Sequence, residues 1–350
     1  MQRADRDLVR RREPAARLVA AAIAAVLALS AISARADVPA SLSDQAFWRL
    51  SQESSEPGGY FRSQDITNLT SNEVWMQFVI QDLVARTRPG GVYLGVGPEQ
   101  NFTYITAIRP AMAVIFDLRR GNLDLQRMYK AMFELSKDRA DFVSMLFAKP
   151  RPAGLTASSS AAQIFAAFGA QPTNEHLFKS NLAAIVANLT TTHGFALTDG
   201  DRQGLEAVYQ TFYWSGFAVR PSPTYADLMT ATDAAGVPRS FLSSEERYLF
   251  LRDLERRNLV VPVVGNFEGP KAIRAIGAYV KTLGATVSAF YLSNVEQYLG
   301  SWDTFCRNVA SLPLDSHSTF IRSTSGRGYA SGGGFVSSLG AMAEEVKGCR

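Results

Sequence analysis

Cysteine and histidine are scarce, with two and three residues in a chain of 350. Two cysteines exclude a disulfide scaffold and a multi-thiolate metal centre. The histidines, His176, His193 and His317, stand far apart and no pair has metal-ligand spacing, so no metal site is expected. His193-Gly194 reads as a helix end, where a histidine interacts favourably with the last carbonyls. The chain has no Gly-x-Ser-x-Gly elbow, Walker loop, His-Glu-x-x-His or internal repeat, which leaves hydrolase chemistry without specific support. With 47% apolar and 19% charged residues, it is not disordered, collagen-like or multi-spanning.

An excess of one charge sign is also missing from most of the chain. The formal net charge is +4, yet residues 1–36 hold seven arginines against three acids. Taking these from the totals of 36 basic and 32 acidic residues leaves 29 of each. A nucleic-acid partner therefore loses its main support. The same leader carries 14 apolar residues in the 15 from Leu18 to Ile32, then Ala34-Arg35-Ala36. A basic start, a short apolar run and a small-x-small site together read as a secretory signal peptide. The alternatives are an uncleaved anchor, or a start nearer residue 38. Export would place the mature chain in the periplasm or outside the cell, with no membrane span. Cys306 and Cys349 would then meet an oxidising compartment, where they either pair or stay free.

The mature chain alternates strand and helix at two places. Residues 37–69 read as an N-terminal arm. Thr70 with Glu73 forms a capping box ahead of an expected helix from Val74 to Val84. Val92–Val96 and Ala111–Phe116 are buried strands flanking a helix that opens at Pro98, and Leu259–Val264 and Ala285–Leu292 flank another. Between these pairs the pattern is mostly helical, an insertion or cap over 149–243. Residues 324–350 read as a Gly/Ser-rich linker and a tail helix. The architecture expected is α/β: a parallel sheet built in two halves, 70–148 and 244–323, around a largely helical insertion.

Chemistry concentrates at the strand-to-helix turns. Gly95-Val96-Gly97 follows a strand and precedes a helix, and Asp117 ends the next strand 22 residues after Gly95. Glycines let a ligand approach the backbone, the helix N-terminus offers N–H donors, and the acid accepts from ribose hydroxyls. Gln100 stands where a dinucleotide fingerprint has its third glycine, which favours a nucleoside ligand without a pyrophosphate. Glu99 and Asn101 lie near any such ligand, or cap the helix. Arg119 suits a 2′-phosphate in a nicotinamide reading, while Arg120 reads as a solvated helix start. At the other junctions, Asn266, Glu268, Tyr291, Ser293, Asn294 and Glu296 are candidate substrate-facing groups, or turn and cap residues.

Residues 90–104 (GGVYLGVGPEQNFTY), 116–120 (FDLRR), 145–154 (MLFAKPRPAG) and 286–299 (TVSAFYLSNVEQYL) carry a resemblance. From about residue 41 to 323 the chain resembles an uncharacterised bacterial family with a Rossmann-like fold similar to class I S-adenosylmethionine-dependent methyltransferases. That resemblance implies that Gly95 and Gly97 line the methionine end of the cofactor and that Asp117 holds the ribose. It implies no reaction, since that family has no established one, and in this chain the usual third strand and a methyltransferase catalytic motif are not evident. Three functions follow as expectations. One is methyl transfer to a small molecule under the helical cap. The second is an exported, non-catalytic protein binding a nucleoside or other small ligand. The third is an NAD(P)-dependent oxidoreductase. Export argues against the first, because S-adenosylmethionine is made in the cytoplasm.

Overall fold

The computed structural model describes residues 38–59, 68–326 and 334–349. The expected signal peptide lies outside them. No helix among the described residues is long and apolar enough to cross a membrane.

Six strands form one sheet: β1 (Val92–Val96), β2 (Met112–Asp117), β3 (Val260–Val264), β4 (Val287–Ser293), β5 (Thr319–Gly326) and β6 (Gly334–Ala341). Their order is β3-β2-β1-β4-β5-β6. All neighbours are parallel except β5 and β6. Every residue of β1, β2 and β3 is buried, as expected of parallel strands covered on both faces. Pro262 lacks an N–H and stands on the edge strand β3, where no ladder bond is lost on its free side.

The helices are α1 (Asp44–Ser54), α2 (Ile80–Arg86), α3 (Gln100–Ile108), α4 (Arg120–Leu135), α5 (Arg139–Leu146), α6 (Ala161–Gly169), α7 (Glu175–Ala187), α8 (Asp199–Ser215), α9 (Tyr225–Thr230), α10 (Glu245–Arg256), α11 (Ala272–Thr282), α12 (Trp302–Ala310) and α13 (Met342–Glu345). Helix α4 is buried continuously from Asn122 to Phe133, because it lies between the sheet and the other helices of the long β2–β3 connection. Its Phe133 stacks on Phe142 of α5 at 4.6 Å and meets Tyr248 of α10 at 5.4 Å.

Several local expectations change. The Thr70–Glu73 box starts no helix, since residues 74–79 are turns and α2 begins at Ile80. The N-terminal arm contains α1, whose N-cap Ser43 accepts from Ala46 N–H, and Ser51 of that helix donates to the Pro262 carbonyl at 2.6 Å. The third strand does exist: β3 fills the place beside β2 after the helical excursion. The described ends of the expected linker are strands instead, and its residues 327–333 lie outside the described residues. Residues 319–322 pair with β4 and 319–326 with 334–341, and the tail helix shrinks to Met342–Glu345. Ladder partners across the β5–β6 pair outweigh the weak strand propensity of Ser and Gly. Cys306 on α12 is disulfide-bonded to Cys349, with Cα atoms 5.6 Å apart.

His193 ends no simple helix. It follows a π-helical turn and stacks on Phe195, with Nδ1 2.6 Å from Asp44 and Nε2 2.6 Å from Glu134. Burial pushes its pKa down, but the two carboxylates outweigh that and Lys130 to raise it above its ordinary value. Burial likewise opposes ionisation of Glu134, yet His193, Lys130 and Asn188 hold its pKa down at about 2. The clamp on α1 therefore contributes fully only below the unfolded histidine pKa, and its contribution fades as pH rises through the raised value. The carboxylate part fades only in strong acid. We expect the melting temperature to fall by about 2–4 °C between pH 6 and pH 9 from this clamp. Calorimetric scans should show that slope reduced in His193→Gln; an unchanged slope would place the pH dependence elsewhere.

Candidate functional site

The chain runs outward from β1 to β2 and β3, then returns to the other side of β1 as β4. Such a reversal opens a crevice at the carboxyl ends of the strands. A cavity of about 750 Å³ lies there, reached by the ends of β1, β2 and β4, the loop after β3, and Phe335 of β6. Asn68, Ser71, Asn72 and Glu73, with Arg220 from the helical region, complete its wall.

Asp117 closes β2 and is 5% exposed. Its Oδ1 accepts from the Arg119 N–H at 2.8 Å and its Oδ2 from Asn68 Nδ2 at 3.4 Å. Burial pushes its pKa up to about 6, against the lowering effect of the Arg119 amide and guanidinium. Gly97 adopts φ +79°, a conformation that favours glycine. An added Cβ there would lie 4.0 Å from Asp117 Oδ2, so the bare backbone borders the acid. Arg119 lines the same cavity.

The other three residues expected at the cofactor do not line it. Gly95 is a glycine because of the protein itself: a Cβ would fall on Asn101 Oδ1 and 2.8 Å from the Tyr93 ring. Asn101 is a buried staple whose Nδ2 donates to the carbonyls of Val96 (2.9 Å), Gly97 (3.3 Å) and Pro98 (2.8 Å), while Oδ1 accepts from Tyr93 OH. Glu99 is fully buried and accepts from Ser71 N–H at 3.1 Å. Burial raises its pKa to about 7. Both residues thus shape the turn from beneath. Arg120 is the exposed first residue of α4, as expected, and it also pairs with the buried Asp201.

Of the expected substrate-side residues, Asn266, Glu268, Tyr291 and Asn294 line the cavity, as does Ser293. Asn266 Oδ1 accepts from Glu268 N–H at 3.0 Å, and Glu268 accepts from the backbone N–H groups of Gly300 and Ser301. The nearby start of α11 is not an open anion site, because Glu56 accepts from Lys271 N–H and Ala272 N–H. Glu296 lies outside the cavity lining. It forms an ion pair with Arg322, which also holds Glu345 and so fastens the β5–β6 pair.

Glu73 is the residue that sequence reading missed. It is 1% exposed and lines the cavity. Tyr291 OH donates to Oε1 at 2.8 Å and Ser293 Oγ at 2.5 Å. Gln100 Nε2 donates to Oε2 at 2.6 Å, and Ser323 Oγ donates to the same atom. Gln100, at the position of a missing fingerprint glycine, is thus committed to positioning this carboxylate. Ser293 has φ +50° after a register shift at the end of β4, an unusual backbone state for a non-glycine residue, and pairs with Arg322 of β5.

The cavity therefore combines three carboxylates (Glu73, Asp117, Glu268), two guanidinium groups (Arg119, Arg220) and the aromatic walls of Phe267, Tyr291, Tyr298 and Phe335. Its volume and mixed lining suit a small organic ligand. No curated protein matches the chain. A family described as a domain of unknown function, DUF7790, matches residues 67–342, which include every residue lining the cavity, and the chain belongs to that family.

Proposed function

We propose that the cavity binds a nucleoside cofactor and that the protein is an S-adenosylmethionine-dependent methyltransferase acting on a small molecule. The observation that supports this reading best is the pairing of Asp117 with the left-handed Gly97 at the switch point of the sheet. An ionised Asp117 accepts from ribose hydroxyls, and Gly97 lets the ligand lie against the backbone. The bound donor would supply an electrophilic methyl group: an acceptor lone pair forms the new bond to carbon, the C–S electron pair returns to sulfur, and the acceptor proton passes to water. The chain's task is alignment and exclusion of water, which needs no nucleophilic triad. Asn266, Glu268 and Asn294 provide polar contacts for the acceptor.

Isothermal titration with S-adenosylmethionine and S-adenosylhomocysteine tests this reading. Wild-type protein should bind both, with affinity declining below about pH 6 as Asp117 takes up a proton. Asp117→Ala should weaken binding by about thirtyfold or more, the loss of a charge-assisted contact. Absence of binding by either nucleoside in the wild type would refute the proposal.

A second reading, an exported binding protein without turnover, is favoured by the Cys306–Cys349 disulfide, because such bonds persist in oxidising compartments. The arginine-rich leader points the same way, toward a periplasmic or secreted protein. N-terminal sequencing after cell fractionation discriminates. A mature end near Asp37 outside the cytoplasm supports this reading, and an intact cytoplasmic chain opposes it.

A further inference from the structure

Glu73 holds its carboxyl group in an unusual setting. Its two oxygens accept four hydrogen bonds, two each, from three hydroxyls and the NH2 group of the Gln100 amide. That arrangement fits a carboxylate. All four donors are neutral, and among the described residues no lysine, arginine or histidine is paired with it. Burying a charge without a counter-ion is costly, and dipoles compensate only part of the cost. This carboxyl group is among those that line the cavity.

The surroundings point the same way. Tyr291, which donates to Glu73, also lines the cavity beside Tyr298, Phe267 and Phe335. Aromatic faces beside a carboxylate recognise organic cations. Arg119 and Arg220 also border the cavity, but carboxylates outnumber them. Glu73 is held at the end of β4 and Asp117 ends β2, on opposite sides of β1. Two strand spacings separate those ends, about 9–10 Å. A nucleoside extended through its 5′ carbon bridges such a span, with its ribose at Asp117 and its far end at Glu73.

We infer that Glu73 is the specificity-determining residue that makes this cavity select a ligand bearing an organic cation. Resting on the methyl-transfer reading, this means preference for the sulfonium donor over its neutral thioether product.

The test titrates full-length wild type and Glu73→Gln with S-adenosylmethionine and S-adenosylhomocysteine, and in parallel with trimethylsulfonium and its neutral analogue tert-butyl alcohol. The variant should lose about tenfold or more in affinity for the sulfonium nucleoside and less than about threefold for the thioether, the pattern of a lost charge pair. Equal losses for both, or no loss, would overturn the inference. If neither nucleoside binds the wild type, the methyl-transfer reading fails. The small probes then decide: a response to trimethylsulfonium alone, abolished in Glu73→Gln, upholds cation selection, whereas equal or absent responses overturn it. If Glu73→Gln does not fold, the wild-type comparison of those two probes decides in the same way.

Discussion

Gly95→Ala should destabilise the protein by about 3–5 kcal/mol, combining overpacking with broken buried hydrogen bonds. Gly95 sits in the central strand, paired with Ile115 of β2 on one side and Tyr291 of β4 on the other. The new methyl group would occupy the place of Asn101 Oδ1. Asn101 cannot yield cheaply, because its amide holds the carbonyls of Val96, Gly97 and Pro98 and its oxygen holds Tyr93. Displacing it strands several buried polar groups and releases the turn that presents Gly97. Urea unfolding should show a lower midpoint with an unchanged slope. In an Asn101→Ala background the obstructing oxygen is gone, so the added cost of Gly95→Ala should fall by more than half. Equal costs in both backgrounds would show that the pair is uncoupled.

Arg127→Met should cost about 3 kcal/mol, as expected when one partner of a buried ion pair is removed. The Arg127 side chain is 2% exposed and bonds Asp201 at 2.7 Å, with Asp124 at 3.6 Å. Its guanidinium lies 4.7 Å over the ring of Trp48 on α1. One side chain thus joins the buried helix α4, the start of α8 and the N-terminal helix. Gly204 on α8 permits this approach, since a Cβ there would collide with Asp124 Oδ2. Methionine keeps much of the volume but leaves two adjacent carboxylates with the half-exposed Arg120 alone. Adding Asp201→Asn to Arg127→Met should therefore recover part of the loss. Chemical denaturation of the four proteins in this cycle measures the recovery; a further loss would mean that Asp201 acts mainly through its cap on Thr198 N–H.

Much of the site could be read in the sequence, for a reason visible at β1 and β2. A fully buried strand, a glycine turn and an acid at the next strand end are local features, and their spacing alone brings Gly97 and Asp117 to one edge. The two glycines of Gly95-Val96-Gly97 are indistinguishable as letters, yet one makes room for Asn101 and the other borders the cavity. Only the turn conformation separates them. Glu73 was masked by a local coincidence, because Thr70-x-x-Glu73 matches a capping box. Three of its four partners, Tyr291, Ser293 and Ser323, are 218 to 250 positions away. Glu296 misled in the opposite direction, since its place after β4 suggested a ligand while its partner Arg322 lies on the next strand. The pairing of 319–326 with 334–341 was hidden by composition, as glycine and serine there acquire strand structure from the β5–β6 ladder rather than from their own preference.

The most direct test of the central claim is a crystal structure of the protein grown with S-adenosylhomocysteine. The ribose hydroxyls should lie within hydrogen-bonding distance of Asp117, with the backbone of Gly97 alongside and the homocysteine sulfur on the Glu73 side of β1. A nucleoside bound elsewhere, or an empty cavity at saturating ligand, would contradict the account.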